Sequence, residues 1–224
     1  MSRVLTIDGP AGAGKSTVAK RAAAELGIRY LDTGAIYRAV AWALDRAGIP
    51  PEDGPPLRTA LAGLTVELKD GSILVDGTDV SVEIRAPRTD EIVSAYSALA
   101  PVRGALLGLQ RDQVRHGSLV AEGRDVGSVV FPDASVKFFL TASPEARARR
   151  RCLERERKGE PISYEETLAA IRERDRLDSE RELAPLTCPE GAVSIDTSDM
   201  SEDEVVARIV GHVRATWPEG GLGA

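Results

Sequence analysis

The chain opens with Val4 to Ile7, a short apolar run of strand length, followed by glycine-rich sequence and then Val18, Ala19, Ala22, Ala23 and Leu26 at helical spacing. Gly27 stands where such a helix would stop. This order of strand, loop and helix is the opening of an α/β fold. Further strand-like runs lie at Arg29 to Leu31, Ser118 to Ala121, Val136 to Leu140 and Val193 to Ile195. Helical stretches separate them, including Ala35 to Ala47, Pro144 to Arg157, Tyr164 to Asp178 and Ser201 to Thr216. Strands alternating with helices predict a mostly parallel sheet covered on both faces.

Between Pro50 and Pro101 the pattern changes. A proline-rich link (Pro50, Pro51, Pro55, Pro56) precedes Leu64 to Leu68, an Asp70-Gly71 turn, Ile73 to Val75 and a second turn at Asp76-Gly77, which predicts a small antiparallel insert. From Glu154 to Pro161 the sequence is charged and ends in Lys158-Gly159-Glu160-Pro161. It reads equally well as a mobile hairpin between two helices or as a plain surface loop. Pro218 to Ala224 is glycine-rich and is expected to fray.

Length and composition narrow the picture. A chain of 224 residues suffices for one core with insertions, and a second ordinary domain would be a squeeze. With 42% apolar residues and no uninterrupted apolar run near the roughly 20 residues a bilayer requires, no membrane span is expected. Met1-Ser2-Arg3 leads directly into the first strand without a signal-peptide pattern, so a cytoplasmic location is expected. Cys152 and Cys188 fit no metal-ligand spacing and are expected to stay free thiols. The net charge of -6 argues against broad non-specific binding to nucleic acid, although local basic clusters can hold one anionic ligand. Arginine outnumbers lysine 24 to 5, which suits bidentate phosphate binding but follows equally from a composition bias in a chain rich in alanine and glycine. His116 and His212 belong to no constellation, and a surface or packing role is expected for each.

Chemistry first becomes specific at Gly9-Pro10-Ala11-Gly12-Ala13-Gly14-Lys15-Ser16, which fits G-x-x-x-x-G-K-[ST] after a strand and before a helix. Glycines let such a loop wrap so that successive backbone N–H groups converge on phosphate oxygens, while the next helix presents the positive end of its dipole. Lys15 then reaches the β- and γ-phosphates, and Ser16 offers an oxygen to Mg²⁺. Thr17 packs or caps at the edge of this donor site. The loop alone leaves a kinase, a GTPase switch and a motor ATPase open. A guanine-specific switch reads its base with an Asn-Lys-x-Asp element, and this chain contains no asparagine.

Four further stretches stand in order along the chain: Asp32-Thr33-Gly34-Ala35-Ile36-Tyr37-Arg38, Asp79-Val80-Ser81-Val82-Glu83-Ile84-Arg85, Glu122-Gly123-Arg124-Asp125-Val126-Gly127 and Arg172-Glu173-Arg174-Asp175. Together with Val129-Val130-Phe131-Pro132-Asp133-Ala134 and Ala184-Pro185-Leu186, they make the chain from Thr6 to about Ile195 resemble the bacterial cytidylate kinases. That resemblance implies a three-layer α/β P-loop kinase fold with a central parallel sheet. It implies a core of residues 1–37 and 109–224, an acceptor-nucleotide domain of residues 38–108 with a β-insert at about 63–85, and a lid at 154–163. Carried over by position, Arg38, Arg103, Arg124 and Arg181 would hold the acceptor phosphate, and Thr33, Ser94, Asp125, Arg174 and Asp178 the cytosine and sugar. Arg147 and Arg151, four apart at the start of the helix leading to the lid, are assigned to ATP. A solvated helix paired with Glu145, Glu154 and Glu156 is the alternative.

Two departures from the family pattern matter. Thr33 stands where the family has serine, keeping the hydroxyl. The segment Arg88 to Ser94 is more polar than usual, and keeping Ile84-Arg85 and Arg103 in register selects Ser94 over Ser97. Spacings of four and three put Arg174, Asp178 and Arg181 near one helical face, a pattern that ordinary solvated ion pairs also produce. The implied activity is direct in-line transfer of the γ-phosphoryl of ATP·Mg²⁺ to CMP or dCMP by a monomeric enzyme, with Lys15, Arg124, Asp125 and Arg181 at the reacting centre. Kinases of UMP, dTMP or shikimate, and a nucleotide-dependent binding protein, are the competing readings.

Overall fold

The computed structural model describes residues 2–69, 71–157 and 159–217. Along the chain run β1 (Val4–Asp8), α1 (Lys15–Leu26), β2 (Arg29–Asp32), α2 (Thr33–Arg46), α3 (Pro55–Gly63), β3 (Val66–Lys69), β4 (Ser72–Val75) and β5 (Thr78–Asp79). Then follow α4 (Pro87–Ser97), α5 (Ala100–Asp112), β6 (Leu119–Gly123), β7 (Val136–Thr141), α6 (Pro144–Arg157), α7 (Tyr164–Glu180), β8 (Val193–Asp196) and α8 (Glu202–Thr216). Two compact units result, one made by the chain up to Leu31 with the chain from Gln113, the other by Asp32–Asp112.

The first unit is built on a five-stranded sheet in the order β2-β6-β1-β7-β8. The pairings of β1 with β6, β1 with β7 and β7 with β8 are parallel, with Leu5 opposite both Val120 and Val136. Leu5 and Ile7 point to one face of β1 and are fully buried with Val18, Ala22 and Leu26 of α1 and Val206, Ile209 and Val213 of α8. Burying each such aliphatic side chain contributes roughly 1.5–3 kcal/mol. Ser201 caps α8, accepting from Glu204 N while the Glu204 carboxylate accepts from Ser201 N, so its first turn is satisfied in both directions. His212 packs edge-on against Phe138, with ring centroids 5.3 Å apart.

Because the chain passes to one side of β1 for β6 and β2 and to the other for β7 and β8, the carboxyl end of β1 is the point where strand order reverses. Ligands of open parallel sheets bind at such crevices. Thr6 and Asp8 face away from the apolar cluster and are buried beneath a single π-helical turn, Val126–Val130. A Cβ on Gly127 would lie 2.7 Å from Thr6 Oγ1 and 3.0 Å from Asp8 Oδ2, so only glycine admits this approach.

In the second unit β3, β4 and β5 form an antiparallel sheet. Asp76 and Gly77, at φ 48° and 77°, close the β4–β5 hairpin between paired Val75 and Thr78, the left-handed geometry that a two-residue hairpin loop requires. Ile73 and Val75 bury against Ala35 and Ala39 of α2 with Val80 and Ile84. Residues 55–63, expected as part of a link, form α3 instead. Pro55 and Pro56 occupy its first positions, where a fixed φ favours the helix and no N–H is missed. Of the sequence expectations, Asp70 of the Asp70-Gly71 turn, Lys158 of the expected lid and the fraying expected of Pro218–Ala224 lie outside the described residues. Among the described residues no single helix is long and apolar enough to cross a membrane.

Candidate active site

The loop from Gly9 to Gly14 leaves the carboxyl end of β1 and runs into α1. Gly9 has φ 146°, and a Cβ there would sit 1.9 Å from the Leu140 carbonyl oxygen of β7, so the chain can turn away from the sheet only through glycine. For loop N–H groups to converge on an anion, the carbonyls must point outward and find donors of their own. The structure supplies them one by one. Arg124 Nη1 donates to Gly9 O at 3.2 Å, Lys15 Nζ to Pro10 O at 2.8 Å, Arg147 Nη1 to Ala11 O at 3.1 Å and Thr197 Oγ1 to Ala13 O at 3.3 Å.

Lys15 is buried, and desolvation brings its ammonium from 10.5 down to about 7. The Arg124 charge pushes the same way, and the Glu122 and Asp8 carboxylates oppose it. Asp8 is displaced in the opposite sense, raised to about 6 by burial although the Gly127 and Val126 N–H groups favour its anion. Both bonds are 2.7 Å, so the Asp8 carboxylate clamps the backbone just after Asp125 to the end of β1. Glu122 is buried as well and accepts from Tyr30 Oη at 2.8 Å.

Beside the loop lies a cluster of charged side chains. Arg124 Nε donates to Asp178 Oδ2 at 2.7 Å, and Arg181 reaches to 3.7 Å from Asp125 Oδ1 and 4.0 Å from Asp178 Oδ1. The side chains of Asp125, Asp178 and Arg181 are each less than a tenth exposed. Arg174 and Asp178 lie on α7, Arg181 closes its carboxyl end, and the Arg174 charge acts on Lys15. Arg181 Nε donates to the carbonyl of Ala184, which is held at φ 49°, a conformation that alanine seldom adopts. The predicted set Lys15, Arg124, Asp125, Arg174, Asp178 and Arg181 is thus gathered in one unit.

On the other side of the loop a cavity of about 480 Å³ is lined by Lys15, Ser16, Thr17, Arg151, Leu153 and Arg157, among others. Ser16 is exposed at the first turn of α1. Leu153 is half exposed at the cavity rim. Arg147 also lines the cavity, but its side chain is only 3% exposed and its guanidinium holds both carboxylate oxygens of Asp175.

The second unit carries the remaining predicted residues. Thr33 is buried in the first turn of α2, which Asp32 caps by accepting from Ala35 N at 2.9 Å. Arg38 donates to Asp90 Oδ1 at 2.8 Å, and the Arg103 guanidinium stacks over the Tyr37 ring at 5.4 Å while donating to Ser97 O. Ser97 is buried and its hydroxyl donates to the Ser94 carbonyl; Ser94 itself is half-buried. Sequence reasoning missed Asp8, Glu122 as a group acting on Lys15, Asp90, Asp175 and Thr197. For Asp8 a signal exists, a carboxylate placed directly before the phosphate loop. Glu122 and Asp175 stand inside the quoted stretches without a role given to them, and for Asp90 and Thr197 no spacing announces one.

A phosphate loop at the switch point of a parallel sheet, with a buried lysine and arginines beside it, defines a phosphotransferase of the P-loop kinase class. The family model for cytidylate kinase matches residues 5–215. A cytidylate kinase of Caldanaerobacter subterraneus subsp. tengcongensis is 48% identical over 210 residues, covering 94% of each chain. One of Mycobacterium leprae is 47% identical over 212 residues, 94% of this chain and 95% of that one. This chain belongs to the cytidylate kinase family. Among solved structures, a protein of Thermus thermophilus is 18% identical, covers 97% of this chain and 98% of that chain, and has a TM-score of 0.50, a likeness of fold alone.

Proposed function

We propose that this chain phosphorylates CMP and dCMP with ATP, by direct in-line transfer and without a phosphoenzyme. The ion-paired set of Arg124, Asp125, Asp178 and Arg181, tied to the phosphate loop by the Arg124–Gly9 hydrogen bond, carries this reading. A dianionic acceptor in a water-poor site needs several fixed cationic donors, and arginine forks orient it as well as neutralise it.

In this reading the ATP phosphates lie on the Gly9–Ser16 loop, and the donor base lies against Thr17, Arg151 and Leu153. Ser16 holds Mg²⁺, which fits an exposed hydroxyl beside the loop and a hard cation that prefers oxygen ligands. When bound with the nucleotide, the cation would offset charge on the β- and γ-phosphates. Arg38, Arg103, Arg124 and Arg181 hold the acceptor phosphate; Thr33, Ser94, Asp125, Arg174 and Asp178 read the cytosine and sugar. An acceptor phosphate oxygen attacks the γ-phosphorus, the bond to the β–γ bridging oxygen breaks, and ADP departs. Lys15, Arg124 and Arg181 stabilise the charge that spreads over the transferring group. The nucleophile is already an anion, so no general base is needed, and Asp125 serves as a ligand. Residues 38–108 act as the acceptor domain, residues 154–163 as the lid, and the enzyme works as a cytoplasmic monomer.

The test is ADP release with ATP·Mg²⁺ and, one at a time, CMP, dCMP, UMP, AMP, GMP, dTMP and shikimate. Fast turnover with CMP and dCMP alone is expected. Comparable turnover with another acceptor overturns the base assignment, and ATP hydrolysis without acceptor that exceeds the kinase rate overturns transfer in a water-poor site.

A further inference from the structure

All three nitrogens of the Arg147 guanidinium are engaged. Its Nε donates to Ala142 O at 2.9 Å, at the end of β7. Nη1 donates both to Ala11 O of the phosphate loop at 3.1 Å and to Asp175 Oδ1 at 2.9 Å, and Nη2 donates to Asp175 Oδ2 at 2.5 Å. One planar fork therefore spans a loop carbonyl, a strand end and a carboxylate on α7, which the three donors of a lysine, all on one atom, could not do.

Asp175 lies three residues before Asp178, so both carboxylates share one face of α7. Asp178 holds Arg124, whose other end donates to Gly9 O. Two rungs of the same construction, a carboxylate on α7, an arginine and a loop carbonyl, thus connect α7 to the phosphate loop at Gly9 and at Ala11. They differ in one respect. Arg124 and Asp178 are assigned to the acceptor nucleotide and would exchange partners on binding it; Asp175 is assigned to no ligand, and Arg147, expected at ATP, spends its donors on Ala142 O, Ala11 O and Asp175 instead, so this pair would stay joined.

We propose that Arg147 and Asp175 are positioning residues whose pair couples acceptor binding on α7 to the conformation of the phosphate loop. Any shift of α7 as the acceptor engages Arg174, Asp178 and Arg181 is carried through the retained rung to Ala11, and so to the N–H groups that receive ATP. This rests on the assignment of those three residues to the acceptor.

The test measures binding of CMP and of a non-hydrolysable ATP analogue with Mg²⁺, each alone and in the presence of the other, by titration calorimetry. In the native chain each ligand is expected to tighten the other by about five-fold or more. In Asp175→Asn, which keeps shape and removes the charge that holds the fork, that ratio is expected to fall to near one while affinity for CMP alone is kept. Arg147→Lys is expected to fall in between. A purely structural pair would lower the unfolding temperature and leave the ratio as it was. A folded Asp175→Asn chain with the native ratio, or a native ratio of one, overturns the proposal. If Asp175→Asn does not fold, hydrogen exchange on the native chain decides: CMP alone should protect the loop amides between Gly9 and Gly14, and no gain in protection overturns it. Failure of the acceptor assignment reads differently, as an Asp178→Ala chain with unaltered affinity for CMP.

Discussion

In the proposed reading the phosphate loop meets its anion with backbone N–H groups, while the side chains of Arg124, Lys15, Arg147 and Thr197 hold its carbonyls. In the neighbouring cluster of Arg124, Asp125, Asp178 and Arg181 the side chains themselves are the binding groups of the proposed function, and the backbone only carries them. The first arrangement demands glycine at fixed positions and tolerates variety in what satisfies the carbonyls. The second demands particular charges and tolerates their arrival from distant parts of the chain. The two regions should therefore fail in different ways.

The largest failure should follow a change in the loop backbone. Gly9→Ala places a Cβ against the Leu140 carbonyl at a φ of 146°, and no side-chain movement relieves a contact between backbones. A loss of about 3 kcal/mol or more in unfolding free energy is expected, with ATP binding abolished. Urea unfolding and calorimetric titration check it; native ATP affinity would contradict the claim that this glycine shapes the loop.

Lys15→Met should separate function from stability. In the proposed function the lysine stabilises the transferring phosphoryl group, so kcat should fall by about 10²–10³-fold. Its ammonium is nevertheless desolvated in the free protein, and removing it should not lower the unfolding free energy. A variant that is both inactive and clearly destabilised would show that the Pro10 hydrogen bond outweighs the burial cost.

That contrast also explains what was legible in the sequence. The loop was readable because its physics is written as glycines at fixed spacing between a strand and a helix. The strands at Arg29, Leu119, Val136 and Val193 were readable from apolar runs, and their parallel pairing from the intervening helices. Residues 55–63 were not read as a helix because prolines that break a helix interior are favourable in its first turn, and spacing alone does not say which applies. The π-helical turn at Val126–Val130 rests on a tertiary contact of Gly127 with Thr6 and Asp8, which no local pattern encodes. The charged cluster was found through family resemblance, position by position, because carboxylates and arginines also populate any solvated helix. For the same reason Asp175 and Asp90 were passed over, although each holds an arginine that had been singled out.

Asp8 joins the two regions, since it ends the strand that feeds the loop and accepts from the backbone beside Asp125. Its pKa is raised from 3.8 to about 6, so between those values the folded chain holds a proton that the unfolded chain has lost. Stability contributed by this group is therefore full below about pH 4 and is lost as pH rises through 6, an effect of about 3 kcal/mol. Asp8→Asn should remove that component. Urea unfolding at pH 4, 5, 6 and 7 on both chains checks it, and parallel profiles would rule out Asp8 as the source.

In the side-chain region Arg181→Lys keeps the charge and loses the fork. Here kcat/KM for CMP should drop about tenfold while the KM for ATP stays near native, because one bidentate contact is exchanged for a point charge. Equal losses for both substrates would show that its role at the transferring phosphoryl group outweighs its hold on the acceptor phosphate.

The smallest effect is a proton. With its pKa lowered to about 7, Lys15 is largely neutral at pH 8 in the free protein and charged at pH 6. ATP phosphates replace the lost solvation with negative charge, so binding should draw the proton back, close to one at pH 8 and close to none at pH 6. Calorimetric titration in buffers of different ionisation enthalpy measures the uptake directly. Lys15→Arg isolates the lysine's share, since a guanidinium stays charged throughout and should show no difference between the two pH values beyond that of the nucleotide itself. Equal uptake in both chains would mean that the buried lysine is already charged while it rests on the Pro10 carbonyl, and that the loop meets its ligand with its cation fully formed.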